Sequence, residues 1–179
     1  GTVPNFISAT TSPVLEAWVS VTSITNGHYQ VGFFGATSTT WNPAWQMNNG
    51  IFFVAEQNLN GGNWTAVNKR TNVDGSVAST TIDTGIPGAS GFAGGVAQYQ
   101  RLRIEVSTST IYYLINGRVV AQLSTTTPSR NLTPAVTVAN IYAASRKDLN
   151  LRLLRLWNDD PVGGDVSGTP ALDDSVPEI

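Results

Sequence analysis

Cysteine is absent from the 179 residues, and histidine occurs once. Such a chain cannot build a disulfide scaffold, a zinc–thiolate site, a cysteine nucleophile or a metal site of several histidines. Charge is scarce as well. Only 12% of residues are charged, against about 25% in an average soluble domain. No apolar run reaches the roughly 18 residues that a membrane-spanning helix needs. The stretch Gly85–Gly95 holds no Gly-x-Gly-x-x-Gly or Walker pattern and precedes no helical periodicity, so it is not a phosphate cradle. No Gly-x-Ser-x-Gly elbow occurs. A serine nucleophile would depend on His28 as its base, and His28 follows Asn26-Gly27, where an exposed turn is expected.

What is present favours strands and turns. Hydrophobic residues make up 41%, enough for a core, and 17 Gly, 15 Asn and 36 Ser plus Thr supply much of the remainder. The length suits one domain, or one domain with a tail. Charge is segregated along it. Residues 158–179 hold six acids and no base, while the rest holds 10 bases and six acids, a split of −6 against +4. The bases are scattered as singles or pairs (Lys69-Arg70, Arg146-Lys147), so nucleic acid is not an expected partner. The acidic tail, with Asp159, Asp160, Asp165, Asp173 and Asp174, reads either as an element docking on a neighbouring copy or as a solvated linker. A start at Gly1 without Met reads as a processed or trimmed chain, with no signal peptide in view. The sequons at Asn63 and Asn131 matter only in a glycosylating host.

Period-2 segments recur between turn signals. In Val14–Val21, Leu15, Ala17, Val19 and Val21 share one face while Glu16, Trp18 and Ser20 take the other. Strands are expected at 5–9, 29–36, 50–57, 64–69 and 78–83, and a long glycine-rich loop over 84–96. From Arg101, Leu102, Ile104 and Val106 face inward, with Arg101, Arg103 and Glu105 outward. Asn116-Gly117 between IYYLI and RVVAQL predicts a hairpin through a type I′ turn, which needs positive φ at both central positions. Tyr112 and Tyr113 must face opposite sides. Residues 133–139 form a further strand, and 148–157 (DLNLRLLRLW) reads better as strand than helix, with Leu153-Leu154 marking a bulge or two-sided burial. The expected fold is an all-β, two-sheet antiparallel sandwich over 14–157. An N-terminal arm (1–13) precedes it, and an extended acidic tail (158–179) follows.

Residues Gln100–Leu156 resemble the second half of concanavalin-A-like, or laminin-G-like, jelly-roll domains, through RLRIEV, IYYLINGRVVAQL, LTPAVTV and DLNLRLLRL. LEAWVSV and YQVGFFGA fit the front half. The resemblance implies a jelly roll whose last strand closes beside the first. Domains of this class serve as lectins, glycan hydrolases, adhesion modules and virion surface proteins, and similar low-charge, cysteine-free chains are frequent among tailed-phage virion components. Related hydrolases carry Glu-x-Asp-x-x-Glu, which is missing here; Glu56 and Glu105 could serve as a carboxylate pair only by sharing a cleft. Similar domains hold a structural calcium through Asp and Asn oxygens. Asp74, Asp83 and Asp148 are the candidates, but no Asp-x-Asp-x-Asp cluster occurs, and neither metal nor cofactor is expected.

Sugar binding wants exposed aromatic faces flanked by amides. Trp41, Asn42, Trp45 and Gln46, in the loop 37–49, form the best such set; the alternative is that one or both Trp fold back to cap the sandwich. Trp18, Trp64 and Trp157 read as packing residues. The leading expectation is a non-enzymatic structural module of a virion or extracellular surface, docking on copies of itself or on a larger scaffold. The alternative is a carbohydrate-binding, lectin-like module that uses the Trp41–Trp45 loop.

Overall fold

A computed structural model describes residues 12–35, 48–72, 74–93, 96–107, 109–124, 132–140 and 147–159. The strands in chain order are β1 (Ser12–Val21), β2 (Gly27–Gly35), β3 (Gly50–Glu56), β4 (Asn63–Thr71), β5 (Val77–Pro87), β6 (Phe92–Ala93), β7 (Val96–Ala97), β8 (Gln100–Val106), β9 (Thr110–Ile115), β10 (Arg118–Ser124), β11 (Leu132–Asn140) and β12 (Leu149–Asp159). Ten of them make two antiparallel five-stranded sheets. Sheet I runs β10-β9-β8-β1-β12 and sheet II runs β11-β2-β3-β4-β5. The fold is the expected jelly-roll sandwich, and its last strand pairs with its first.

Alternation builds the interior. Leu15, Ala17, Val19 and Val21 of β1 meet Leu102 and Ile104 of β8 and Val31, Phe33, Ile51 and Phe53 of sheet II, all without solvent exposure. Burying each large apolar side chain contributes roughly 1.5–3 kcal/mol. Aromatic residues join the layers. Phe53 sits edge-on to Tyr113 (5.2 Å) and to Trp64 (6.2 Å). Both polar tips are satisfied across the sandwich: the Tyr113 hydroxyl donates to the Val67 carbonyl at 2.6 Å, and Trp64 Nε1 donates to Gln100 Oε1 at 2.8 Å. Tyr112, its alternate, faces out of the core and is half-buried.

The Asn116-Gly117 turn has φ of 52° and 81°, as a type I′ hairpin requires. The segment 84–96 departs from the long loop expected. β5 continues through it to Pro87, because Thr84 Oγ1 donates to the Trp64 carbonyl at 2.6 Å and Gly85 donates its N–H to Asp83 at 2.8 Å. Beyond it β6 and β7 pair as a short ribbon. The bulge in the last strand falls one residue earlier than Leu153-Leu154. Trp18 pairs with Leu153 and Val19 with Leu151, so Arg152 is the extra residue.

Candidate functional site

The alternation that buries Leu15 and Leu102 sends their neighbours to the outer face of sheet I. Cross-strand pairing sets Glu16 beside Arg103 and Trp18 beside Arg101 on one flank, and Glu16 beside Arg155 on the other. Trp18 and Trp157 are therefore not core residues, contrary to the packing role expected. Each lies on this outer face under a guanidinium: Arg152 is 5.6 Å from the Trp18 ring centre and Arg103 is 5.1 Å from that of Trp157. Trp64 alone of these three fills the core. The bulge explains the first pair, since an extra residue on β12 re-aims one side chain, here Arg152, toward β1.

On the β8 side of Trp18 opens a shallow recess of about 240 Å³, lined by Trp18, Tyr99, Arg101 and Asn116. Its rim is pinned by the hairpin turn. Asn116 donates its N–H to the Arg101 carbonyl and accepts the Arg101 N–H on Oδ1, both at 2.8 Å. The Asn116 side-chain NH₂ has no partner among the described residues. The Trp18 indole N–H donates to Glu16 Oε1 at 3.3 Å, and the other Glu16 oxygen lies 4.0 Å from Arg101 Nε. The recess thus joins two aromatic walls to a guanidinium and an amide, all open to solvent in part.

The outer face of sheet II is built differently. Phe34, Phe52, Val54 and Val67 form a second apolar cluster there, with Phe34 and Phe52 stacked at 5.1 Å. Beside it His28 Nδ1 meets Glu56 Oε2 at 2.8 Å, and Gln30 accepts from Thr137 Oγ1 at 3.4 Å. His28 is 3% and Gln30 1% exposed, so His28 is not the exposed turn residue expected. It sits inside β2 because the Asn26 turn, with φ of 55°, ends one residue sooner than the dipeptide implies. Burial pulls the His28 imidazole below its ordinary 6.5; the Glu56 hydrogen bond and charge oppose this, and Lys69 adds slightly to it. Burial likewise lowers the Lys69 ammonium.

Glu56 and Glu105 lie on opposite outer faces of the sandwich and do not share a cleft. Asp74 is committed to Ser76, which holds its carboxyl below the usual range, and Asp83 accepts from Asn63. No group of three His, Cys, Asp or Glu that could hold a metal occurs among the described residues. Trp41, Asn42, Trp45 and Gln46 lie outside the described residues, as do Asp160, Asp165, Asp173 and Asp174. Asp159 ends β12, opposite Ser12. No helix among the described residues is long and apolar enough to cross a membrane.

No protein-family model matches the chain, and no curated protein matches it. Solved structures do. An alginate lyase superposes with a TM-score of 0.54 at 11% identity, over 86% of this chain and 67% of its own. The botulinum neurotoxin serotype G binding domain superposes at 0.53 and 10% identity, over 86% of this chain and 34% of its own. Sheep galectin-11, in complex with glycerol, gives 0.47 at 18% identity, over 87% of this chain and all of its own. This chain spans about a third of the neurotoxin domain. The lyase and the neurotoxin domain share its concanavalin-A-like sandwich, and at such identities they share the fold alone.

Proposed function

We propose that the chain is a non-catalytic carbohydrate-binding module, of the kind carried on a virion or other extracellular surface. The observation that carries this reading is the recess on sheet I. A pyranose packs its C–H face on an indole and its hydroxyls on nearby donors. Trp18 and Tyr99 supply the walls, and Arg101 and the Asn116 amide supply the donors. Trp18 and Arg101 stand on paired strands, and the two hydrogen bonds between Asn116 and the Arg101 backbone fix the turn beside them, which limits the ordering entropy that opposes binding. The test is isothermal titration calorimetry against a panel of neutral and acidic oligosaccharides. Binding that Trp18→Ala abolishes and Trp41→Ala or Trp45→Ala spares supports the recess. Loss only in the Trp41 or Trp45 variants moves the site to that loop. No binding to any glycan removes the reading.

A second reading, self-association, has its own observation. β12 is a long edge strand whose outer side has no partner strand among the described residues, and Leu151 (45%) and Leu154 (43%) are exposed on it. Unpaired backbone groups beside apolar side chains favour edge-to-edge pairing with a second copy. Light scattering tests it: a monomer at high concentration rejects it, and a dimer that Leu151→Lys disperses supports it.

A further inference from the structure

The outer face of sheet I carries two arginine–tryptophan pairs, one strand apart, and they differ in charge balance. Around Trp157, Arg103 Nε lies 2.7 Å from Glu105 Oε1, so the stacked guanidinium is neutralised where it stands. Around Trp18 no such balance holds. Glu16 already accepts the Trp18 N–H and only approaches Arg101, at 4.0 Å. Arg152, solvent-exposed over the far side of the ring, has no carboxylate within 4.0 Å among the described residues. Arg155, the cross-strand neighbour of Glu16, is likewise exposed and without an ion pair among them. The recess therefore opens beside an excess of positive charge, with Arg101 at its wall and Arg152 over the Trp18 ring.

We propose that the recess selects carboxylated sugars, uronic or sialic in type, over neutral ones. This rests on the recess being a sugar site. Trp18 and Tyr99 hold the ring, and the Arg101 guanidinium at the recess wall takes the carboxylate, a match to its two parallel donors that lysine does not offer. Arg152 adds charge from the β12 side of Trp18 and steadies the indole against rotation. Glu16, 4.0 Å from Arg101 Nε, is the nearby counter-charge, and its single negative charge leaves the site cationic.

The experiment is calorimetry on the full chain with two ligands: a uronic-acid tetrasaccharide and its carboxyl-reduced, neutral counterpart. The carboxylated ligand is expected to bind about tenfold more tightly in dilute buffer, with the gap shrinking as salt is raised. Arg101→Gln should erase the gap between the two ligands: the neutral one keeps its stacking on Trp18 and Tyr99 and loses at most the Arg101 donor contact, while the carboxylated one loses the charge pairing as well. Arg101→Lys should restore only part of the gap. Thermal unfolding of each variant shows that the fold is kept. Equal affinity for the two ligands, or a gap that Arg101→Gln leaves intact, overturns the acidic-sugar proposal while the sugar site stands. Failure of both ligands, and of the wider panel, removes the sugar site with it.

Discussion

Replacing Tyr113 by phenylalanine removes one oxygen from the middle of the sandwich. Tyr113 has no solvent exposure, and its hydroxyl donates at 2.6 Å to the Val67 carbonyl on the facing sheet. The ring keeps its edge contact with Phe53 in the variant. The change is then confined to a lost hydrogen bond and a carbonyl left without that donor, worth about 1–2 kcal/mol. For a domain of this size that is a fall of about 3–6 °C in melting temperature. Urea unfolding should show an earlier midpoint with an unchanged slope, because the area exposed on unfolding is the same. A second signature is independent of the first. Burial pushes the Tyr113 phenol well above its ordinary 10.0. The folded state holds the neutral phenol while the unfolded chain ionises, so this contribution to stability is complete below pH 10 and declines as pH rises above it. Tyr113→Phe should remove that part of the alkaline decline; Tyr29, also raised by burial, contributes to the same limb and is untouched by the variant. A variant within about 0.3 kcal/mol of the parent at pH 7, with the alkaline limb unchanged, would refute the inter-sheet hydrogen bond as a stabilising link.

Gly32→Ala should destabilise by about 2 kcal/mol or more in urea unfolding, because the new Cβ would meet the Ile51 carbonyl oxygen and stand 2.5 Å from Phe52 Cα, both backbone of the next strand. Gly117→Ala should cost about 1–2 kcal/mol for its φ of 81°, and chemical-shift changes at Arg101, 2.8 Å from the added methyl, should accompany it. His28 has its folded-state pKa depressed below 6.5 by burial, so protonation favours the unfolded chain. Stability is flat with respect to this group above pH 6.5 and falls as pH drops below it; His28→Gln should flatten that acid limb in a series of urea midpoints from pH 7.5 to 5. Deleting Arg152 should restore a regular β1–β12 ladder, shift the midpoint by under about 1 kcal/mol, and weaken binding of the carboxylated tetrasaccharide.

Much of the architecture was legible because period-2 burial is local. Leu15, Ala17, Val19 and Val21 declare a core face without any knowledge of what covers it, and Asn116-Gly117 declares a hairpin through its own φ preferences. The same alternation already placed Trp18 and Arg101 on outer faces. It could not say that the two would be neighbours, since the pairing of β1 with β8 joins residues some eighty positions apart. That long-range pairing is what makes a recess out of two unremarkable outward residues, whereas the Trp41–Trp45 pair is visible in the sequence because its members are four residues apart. His28 misled for the opposite reason. Turn chemistry at Asn26 is local, but the burial of the next strand depends on the full width of sheet II.

The last strand carries a parity constraint that locates its bulge from sequence. Leu149 and Leu156 both pack on the core, yet they are seven residues apart. In a regular strand an odd separation puts side chains on opposite faces. Both can face inward only if one residue between them is looped out of register. The pairing of Trp18 with Leu153 and Val19 with Leu151 identifies that residue as Arg152. A charged residue is the one best suited to the extra position, since a bulged side chain on an edge strand is turned toward solvent and leaves the ladder. The constraint that buries two leucines thus sets a guanidinium over an exposed indole. The packing requirement and the arginine–tryptophan pair are the same irregularity viewed from the two faces of sheet I.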